Sequence, residues 1–200
     1  MGKVIVDLSV SLDGFAAGPN DGPDNPLGDG GTRIFEWWSA GERTLGGSDL
    51  FRPPETSRAV VEEMFECGAI ITGRRTFDIA QGWDGHQPVG APFFLLTHDP
   101  PSQFVGPGTE GTVVTDGIDK ALELAQEVAG SRAVAVGSAN VAQQYLRAGL
   151  LDEINLDLVP VILGGGVRLF DHLDGAQYAL TCTRVVESIG VTHLQFRVER

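Results

Sequence analysis

The sequence predicts an α/β fold with a mainly parallel central sheet, helices on both faces and a C-terminal antiparallel hairpin. Short β-branched runs alternate with segments of helical period through residue 148, as expected of strands that return through covering helices. Two of those runs end in Gly and pass directly into a helix. They are Ala69-Ile70-Ile71-Thr72-Gly73-Arg74-Arg75-Thr76 and Ala133-Val134-Ala135-Val136-Gly137-Ser138-Ala139-Asn140. After residue 178 the pattern becomes strict alternation on either side of a turn, the mark of a hairpin.

Val4 to Val10 reads as the first strand, with Val4, Val6, Leu8 and Val10 on one face and Asp7, Ser9 and Ser11 on the other. Gly18 to Gly31 is rich in Gly, Pro, Asn and Asp and forms a long loop; loops of that length are functional or mobile. Arg33 to Trp38 makes a short helix, and a second polar loop runs from Ala40 to Arg52. Pro53 and Pro54 open a helix to about Glu66, with Val60, Val61, Met64 and Phe65 as its apolar stripe. Strand Ala69–Thr72 and the Arg74 helix follow, then strands Pro92–Thr97 and Thr112–Thr115. Asp116 or Gly117 starts a helix to about Ala129, in which Ile118, Ala121, Leu122 and Ala125 recur at helical spacing. Arg132–Val136 is a strand, Ser138 caps a helix to about Ala148, and Leu151–Val159 is a strand before Gly164-Gly165-Gly166. Ala179–Val186 and Val191–Val198 form the hairpin, turning near Ser188–Gly190.

Two hundred residues suit one domain, spanning 1–200, and a net charge of −13 excludes a nucleic-acid partner, which needs a basic face. The same charge disfavours anionic membranes. No apolar run approaches a membrane span, and Met1-Gly2-Lys3 leads into a strand rather than a signal peptide, so the expected compartment is the cytoplasm. Cys67 and Cys182 read as small buried apolar residues, and neither has metal-ligand spacing to a His.

In so acidic a chain, clustered arginines matter. A strand–Gly–helix turn exposes unpaired N–H groups where an anion can sit, and Arg74 and Arg75 add forked donors for phosphate. Two such junctions point to an extended nucleotide cofactor. A central strand covered on both faces should be apolar throughout, so Asp7 either borders a ligand cleft or is a hydrogen-bonded core carboxylate. Asp13 lies at the carboxyl end of the first strand, where open α/β sheets bind ligands, or it is a plain turn residue before Gly14. Arg33, Glu36, Trp37 and Trp38 either stack on a substrate or turn their aromatics into the core.

Several pieces, in order, resemble the dihydrofolate-reductase-like superfamily. They are Ser9-Val10-Ser11-Leu12-Asp13-Gly14-Phe15, Gly73-Arg74-Arg75-Thr76, Leu95-Leu96-Thr97-His98, Val136-Gly137-Ser138, Leu151-Asp152-Glu153-Ile154, Leu158 to Gly166, and Leu169-Phe170. Within that superfamily the chain is most similar to the reductase, or C-terminal, domain of the bifunctional riboflavin-biosynthesis deaminase/reductase.

The resemblance implies a dihydrofolate-reductase-like fold, NADPH as cofactor and a homodimer. It also implies hydride transfer to a small pyrimidine- or pteridine-like heterocycle, similar to 5-amino-6-(5-phosphoribosylamino)uracil reductase. It assigns Gly73, Arg74, Arg75 and Thr76 to the adenosine-side phosphates, and Thr97 and His98 to the adenosine 2′-phosphate. Gly137, Ser138, Ala139 and Asn140 face the pyrophosphate, with Ser138 replacing a second glycine. The backbones of Ser9 and Ala16 grip the nicotinamide carboxamide, and Gly165 packs near that ring. Asp13, with Asp7 behind it, is the candidate to orient substrate or relay a proton. True dihydrofolate reductases carry a carboxylate near the start of the helix before the Gly-Arg-x-Thr strand. Counting back from Gly73 lands near Ser57, with Thr56 and Arg58 beside it and only Glu55 close, so folate is a poor substrate for this chain. No deaminase zinc motif is present. The alternatives are a divergent dihydrofolate reductase and a non-catalytic nucleotide-binding protein.

Overall fold

The computed structural model describes residues 2–46, 51–103, 105 and 108–200. Met1 and residues 47–50 of the expected second polar loop lie outside the described residues. The alternating valines make Val4–Ser11 (β1) the centre of the sheet, with Val4, Val6 and Val10 withdrawn from water. The chain continues as β2 (Phe15–Ala17), α1 (Arg58–Phe65), β3 (Ala69–Gly73), α2 (Arg74–Ile79), β4 (Phe93–Leu96) and β5 (Gly111–Val114). Then come α3 (Ile118–Ala129), β6 (Val134–Val136), α4 (Ala139–Arg147), β7 (Glu153–Val159), β8 (Val167–Arg168), β9 (Leu180–Ser188) and β10 (Val191–Val198). Short 3-10 segments over Gly31–Ser39 and Glu55–Ser57 lead into α1.

The main sheet has the order β5-β4-β3-β6-β1-β7-β10-β9. Its first six strands are parallel, and β10 and β9 close it antiparallel, which bears out the expected fold class. One face packs on α3 and α4, where Ala121, Leu122, Ala125, Val141, Ala142 and Tyr145 meet Val4, Val6 and Ile71. The other face is covered in two separate patches. Phe77 of α2 joins Ile70, Phe93 and Leu95, while Val61 of α1 joins Ile34, Trp37, Val159 and Val191.

Two features of register open the molecule to a ligand. The β1–β6 ladder ends at Val6↔Val136, whereas the β1–β7 ladder runs on to Ser11↔Val159. The upper half of β1 therefore has one edge without a strand beside it, at the carboxyl ends where open α/β sheets bind ligands. On the face covered by α1, β1 and β7 present Asp7, Asn155 and Asp157 to a cavity.

The structure corrects three expectations. Cys67 is buried, but Cys182 is exposed because β9 is the outermost strand and nothing covers its side chain. Ser138 makes no cap bond to its own helix; it has turned to the other junction. The small β2–β8 sheet was not expected, since strands of three and two residues carry no readable period.

Candidate functional site

Both strand–Gly–helix junctions form as expected, and they touch. Gly73 N–H donates to Ser138 Oγ at 3.0 Å, so the serine joins the start of α2 to the start of α4. A Cβ on Gly73 would stand 3.1 Å from that oxygen and 3.2 Å from Val141 Cγ2, a tight fit that asks either side chain to shift by a few tenths of an ångström. A groove of about 670 Å³ runs across both junctions. Its walls include Gly73, Arg74, Arg75, Thr76, Thr97, His98, Ser138, Ala139 and Asn140. Four of the expected residues, Ser9, Ala16, Gly137 and Gly165, are not on its walls. Gly166 is there in place of Gly165, with φ of +123° and its Cα so near β2 that a Cβ would meet Ala17 O at 2.0 Å.

Arg74 and Arg75 already hold anions of the chain itself. Arg74 Nε donates to Asp78 at 2.8 and 3.0 Å, and its Nη1 reaches Asp99. Arg75 makes a two-pronged pair with Asp21 of the long loop, Nε to Oδ2 at 2.7 Å and Nη2 to Oδ1. Thr97 is buried, with its hydroxyl in an exchange with Asp99, while His98 is exposed. Sequence reasoning missed the far wall: Gln143, Arg168, Asp171 and His172. Arg168 lies over the Phe15 ring at 4.4 Å and donates to Asp13 O.

Asp13 is a clasp between loops. Its carboxylate accepts from Ser11 Oγ at 2.6 Å, Leu163 N–H at 3.1 Å and Gly164 N–H at 2.7 Å. These donors, the serine first, pull its pKa down to about 2. A carboxylate so held has no proton to offer near neutrality.

Asp7 has the opposite surroundings. It lines a cavity of about 180 Å³ between α1 and the sheet, with Asn155, Asp157 and His193. Burial, and then the charge of Asp157, push it up to about 7. Its one hydrogen bond comes from Asn155 Nδ2 at 3.3 Å, and Asn155 Oδ1 is buried with no partner among the described residues. Beside it, His193 Nδ1 lies 2.6 Å from Asp157 Oδ1, and His193 Nε2 lies 2.8 Å from Ser57 Oγ. Ser57 is the position where a dihydrofolate reductase was expected to carry its carboxylate. Ser9 Oγ donates to Asp157 and accepts from Trp37 Nε1, both at 3.2 Å. Trp37 is thus a core residue with its polar tip satisfied, and Trp38 packs on Phe35 and Phe51; Arg33 and Glu36 face solvent.

Residues 2–194 match the protein family described as RibD C-terminal domain. An uncharacterized protein of Bacillus subtilis, YyaP, is 24% identical over 180 residues, which is 84% of this chain and 80% of that protein. A putative riboflavin biosynthesis protein of Shewanella sp. PV-4 superposes with a TM-score of 0.71 at 20% identity, covering 100% of each chain. A dihydrofolate reductase of Enterococcus faecalis, solved with NADP(H), superposes with a TM-score of 0.56 at 11% identity, over 100% of this chain and 98% of that one. The fold is dihydrofolate-reductase-like.

Proposed function

Because the chain belongs to the RibD C-terminal domain family, we propose that it is an NADPH-dependent reductase of a small pyrimidine- or pteridine-like heterocycle, similar to 5-amino-6-(5-phosphoribosylamino)uracil reductase. The observation that carries this reading is the groove, which brings both strand–Gly–helix junctions together with Thr97 and His98 at the strand ends. Its volume is ordinary for a small-molecule site. Gly73, Arg74, Arg75, Thr76, Thr97 and His98 would hold the adenosine-side phosphates, and Gly137, Ser138, Ala139 and Asn140 the pyrophosphate. Ser9 and Ala16 would hold the carboxamide at the open edge of β1, with Gly165 in the loop behind. The bound cofactor supplies the hydride, and the protein orients substrate and excludes water.

The two catalytic aspartates then separate in role. Asp13 fixes the loop that closes the nicotinamide end, and Asp7 is the group with a proton to give near neutral pH. Ser57, uncharged where folate reduction needs a carboxylate, supports a substrate other than dihydrofolate. The reading extends to one domain over 1–200, a homodimer and a cytoplasmic location. Dimerisation is supported by the outer strand β9, whose Leu180 and Val185 are exposed. No described helix is long and apolar enough to cross a membrane.

The test is a titration with NADPH and NADH, followed by NADPH oxidation with a panel of pyrimidine and pteridine heterocycles. Preferential NADPH binding and turnover of a heterocycle other than dihydrofolate are expected. Stoichiometric binding without oxidation of any of them would leave a non-catalytic nucleotide-binding protein. Turnover of dihydrofolate would make the chain a divergent dihydrofolate reductase.

A further inference from the structure

Three neighbouring strands carry polar side chains on the face that α1 covers, at paired positions: Asp7 opposite Asn155, Ser9 opposite Asp157, and Asp157 opposite His193. A buried carboxylate is either supplied with donors or kept neutral, and here the two aspartates divide unequally. Asp157 has two donors, His193 Nδ1 at 2.6 Å and Ser9 Oγ at 3.2 Å. When Asp157 is ionised it only accepts, and Nδ1 then carries the hydrogen. The imidazole is itself fixed, by Ser57 Oγ at Nε2 and by the Trp37 ring packed edge-on at 5.0 Å. Among the described residues, Asp7 has only the long contact from Asn155.

The other charges around the cavity are committed elsewhere. Lys3 pairs with Glu153 across β1 and β7. Arg184 of β9 holds both carboxylate oxygens of Glu63 on α1, at 2.8 and 2.7 Å. The nearby Cys67 thiol is pushed up to about 11, by burial first, and stays neutral. Among the described residues, no lysine or arginine pairs with Asp7.

We propose that Asp157, His193 and Ser57 are positioning residues for the reduction: they keep Asp157 ionised, so that the single proton of the two carboxyl groups resides on Asp7, which delivers it to the substrate. This rests on the reductase reading and adds to it an array remote in sequence from both junctions. Asp7 stands two residues before Ser9 on one strand face, about 7 Å along β1, so one small ring can span the hydride end and the acid. The acceptor is a C=N or C=O group of the substrate. Its carbon takes the hydride, with two electrons, from the reduced nicotinamide, which is thereby oxidised. Its nitrogen or oxygen takes the proton. The Asp7 O–H bond breaks, the carboxylate keeps the electron pair, and solvent reprotonates it between turnovers.

Carboxyl-detected NMR across pH, on the cofactor-free protein, reads the arrangement without any activity. In the wild type the upper of the two carboxyl titrations belongs to Asp7, near neutrality. In Asp157→Asn the Asp7 midpoint falls by about one pH unit or more, because a neighbouring charge is gone while burial remains. In His193→Phe, which removes the donor and keeps a ring, the high-pH titration moves from Asp7 to Asp157. In His193→Asn, which restores an N–H donor, the wild-type order returns. Ser9→Ala, which removes the weaker donor, moves the balance the same way as His193→Phe by a smaller amount, and it decides the matter should the phenylalanine variant not fold. On a confirmed substrate, the alkaline limb of kcat/KM moves with Asp7. An Asp7 midpoint that ignores Asp157→Asn, His193→Phe and Ser9→Ala alike would overturn the proposal. Failure to oxidise NADPH with any heterocycle, with the titration order as described, would overturn the reductase reading and leave the array standing.

Discussion

The groove across the strand ends and the cavity beneath α1 are both polar, and they are built in opposite ways. The groove is centred on two runs of consecutive residues, 73–76 and 138–140, and Arg74 and Arg75 lie in partly exposed pairs with Asp78, Asp99 and Asp21. Pairs of that kind contribute about 0–1 kcal/mol and yield readily to a better anion. The cavity is made from Asp7, Asp157 and His193, brought together only by strand register, with Asp157 and His193 buried and Asp7 half-buried. Buried donors and acceptors cost about 1–3 kcal/mol each to leave unpaired, so this array is fixed before any ligand arrives. One region is suited to exchanging anions, the other to holding a proton in place.

The largest effect expected from breaking this contrast is in the groove. Arg74→Ala removes a forked donor worth about 1.5–3 kcal/mol to a phosphate, less what Asp78 and Asp99 retain of it. NADPH should bind roughly ten- to a hundred-fold more weakly, with NADH nearly unchanged and the Asp7 titration unmoved. Fluorescence titration with both nucleotides decides it. Equal losses for the two would sever Arg74 from the 2′-phosphate.

Next comes the cavity itself. The folded protein raises Asp7 from an ordinary 3.8 to about 7, so between those values the folded state binds the extra proton. Stability therefore falls as pH rises through this window, and above pH 7 the full cost of an ionised, buried Asp7 is present. Asp7→Asn should raise Tm by about 3–6 °C at pH 8, and the gain should vanish as pH drops towards 4. This reverses the ordinary expectation that losing a mid-strand polar group destabilises. A Tm that falls equally at every pH would mean that Asp7 is an ionised core carboxylate after all.

The same contrast explains what the sequence could reveal. The groove was legible because Gly73 and Gly137 end apolar runs and open helices, a signal contained in a few adjacent residues. The unequal fates of Asp7 and Asp13 were not. Both are aspartates on or just after one strand, and only the loop at Leu163 and Gly164, or the side chains of β7 and β10, tells them apart. His193 was hidden for the same reason. Its strand, Val191–Val198, reads as half of a hairpin from alternation alone, which says nothing of what either face meets. A signal did exist: Asp7, Asp157 and His193 all interrupt strands at inward positions, but aligning them required the register.

A smaller effect is expected at Asp13. Its folded pKa is lowered to about 2, by Ser11 first and the Gly164 and Leu163 amides after, so its contribution is present above about pH 4 and is lost as pH falls through 2. Asp13→Asn keeps one acceptor and loses the charge. Tm should drop by a few degrees at pH 7, the difference closing in strong acid, whereas a pure proton relay would leave Tm unmoved. Thermal melts over the acid range separate the two.

The smallest effect sharpens the comparison most, because it tests whether the groove's own anions compete with a ligand. Asp21 comes from the long Gly/Pro loop, and its carboxylate grips Arg75 through two oxygens while the arginine remains largely exposed. A phosphate arriving at Arg75 must therefore replace a carboxylate that is already there. Asp21→Asn leaves a neutral oxygen in its place and frees the guanidinium, removing a competitor worth about 0.5–1 kcal/mol. NADPH should bind about two- to five-fold more tightly, and the gain should shrink at high salt, where exposed charges are screened. Isothermal titration at low and high ionic strength measures both quantities. Weaker binding in the variant would show that Asp21 holds the loop in the shape the groove needs, and that its hold on Arg75 assists the ligand rather than opposing it.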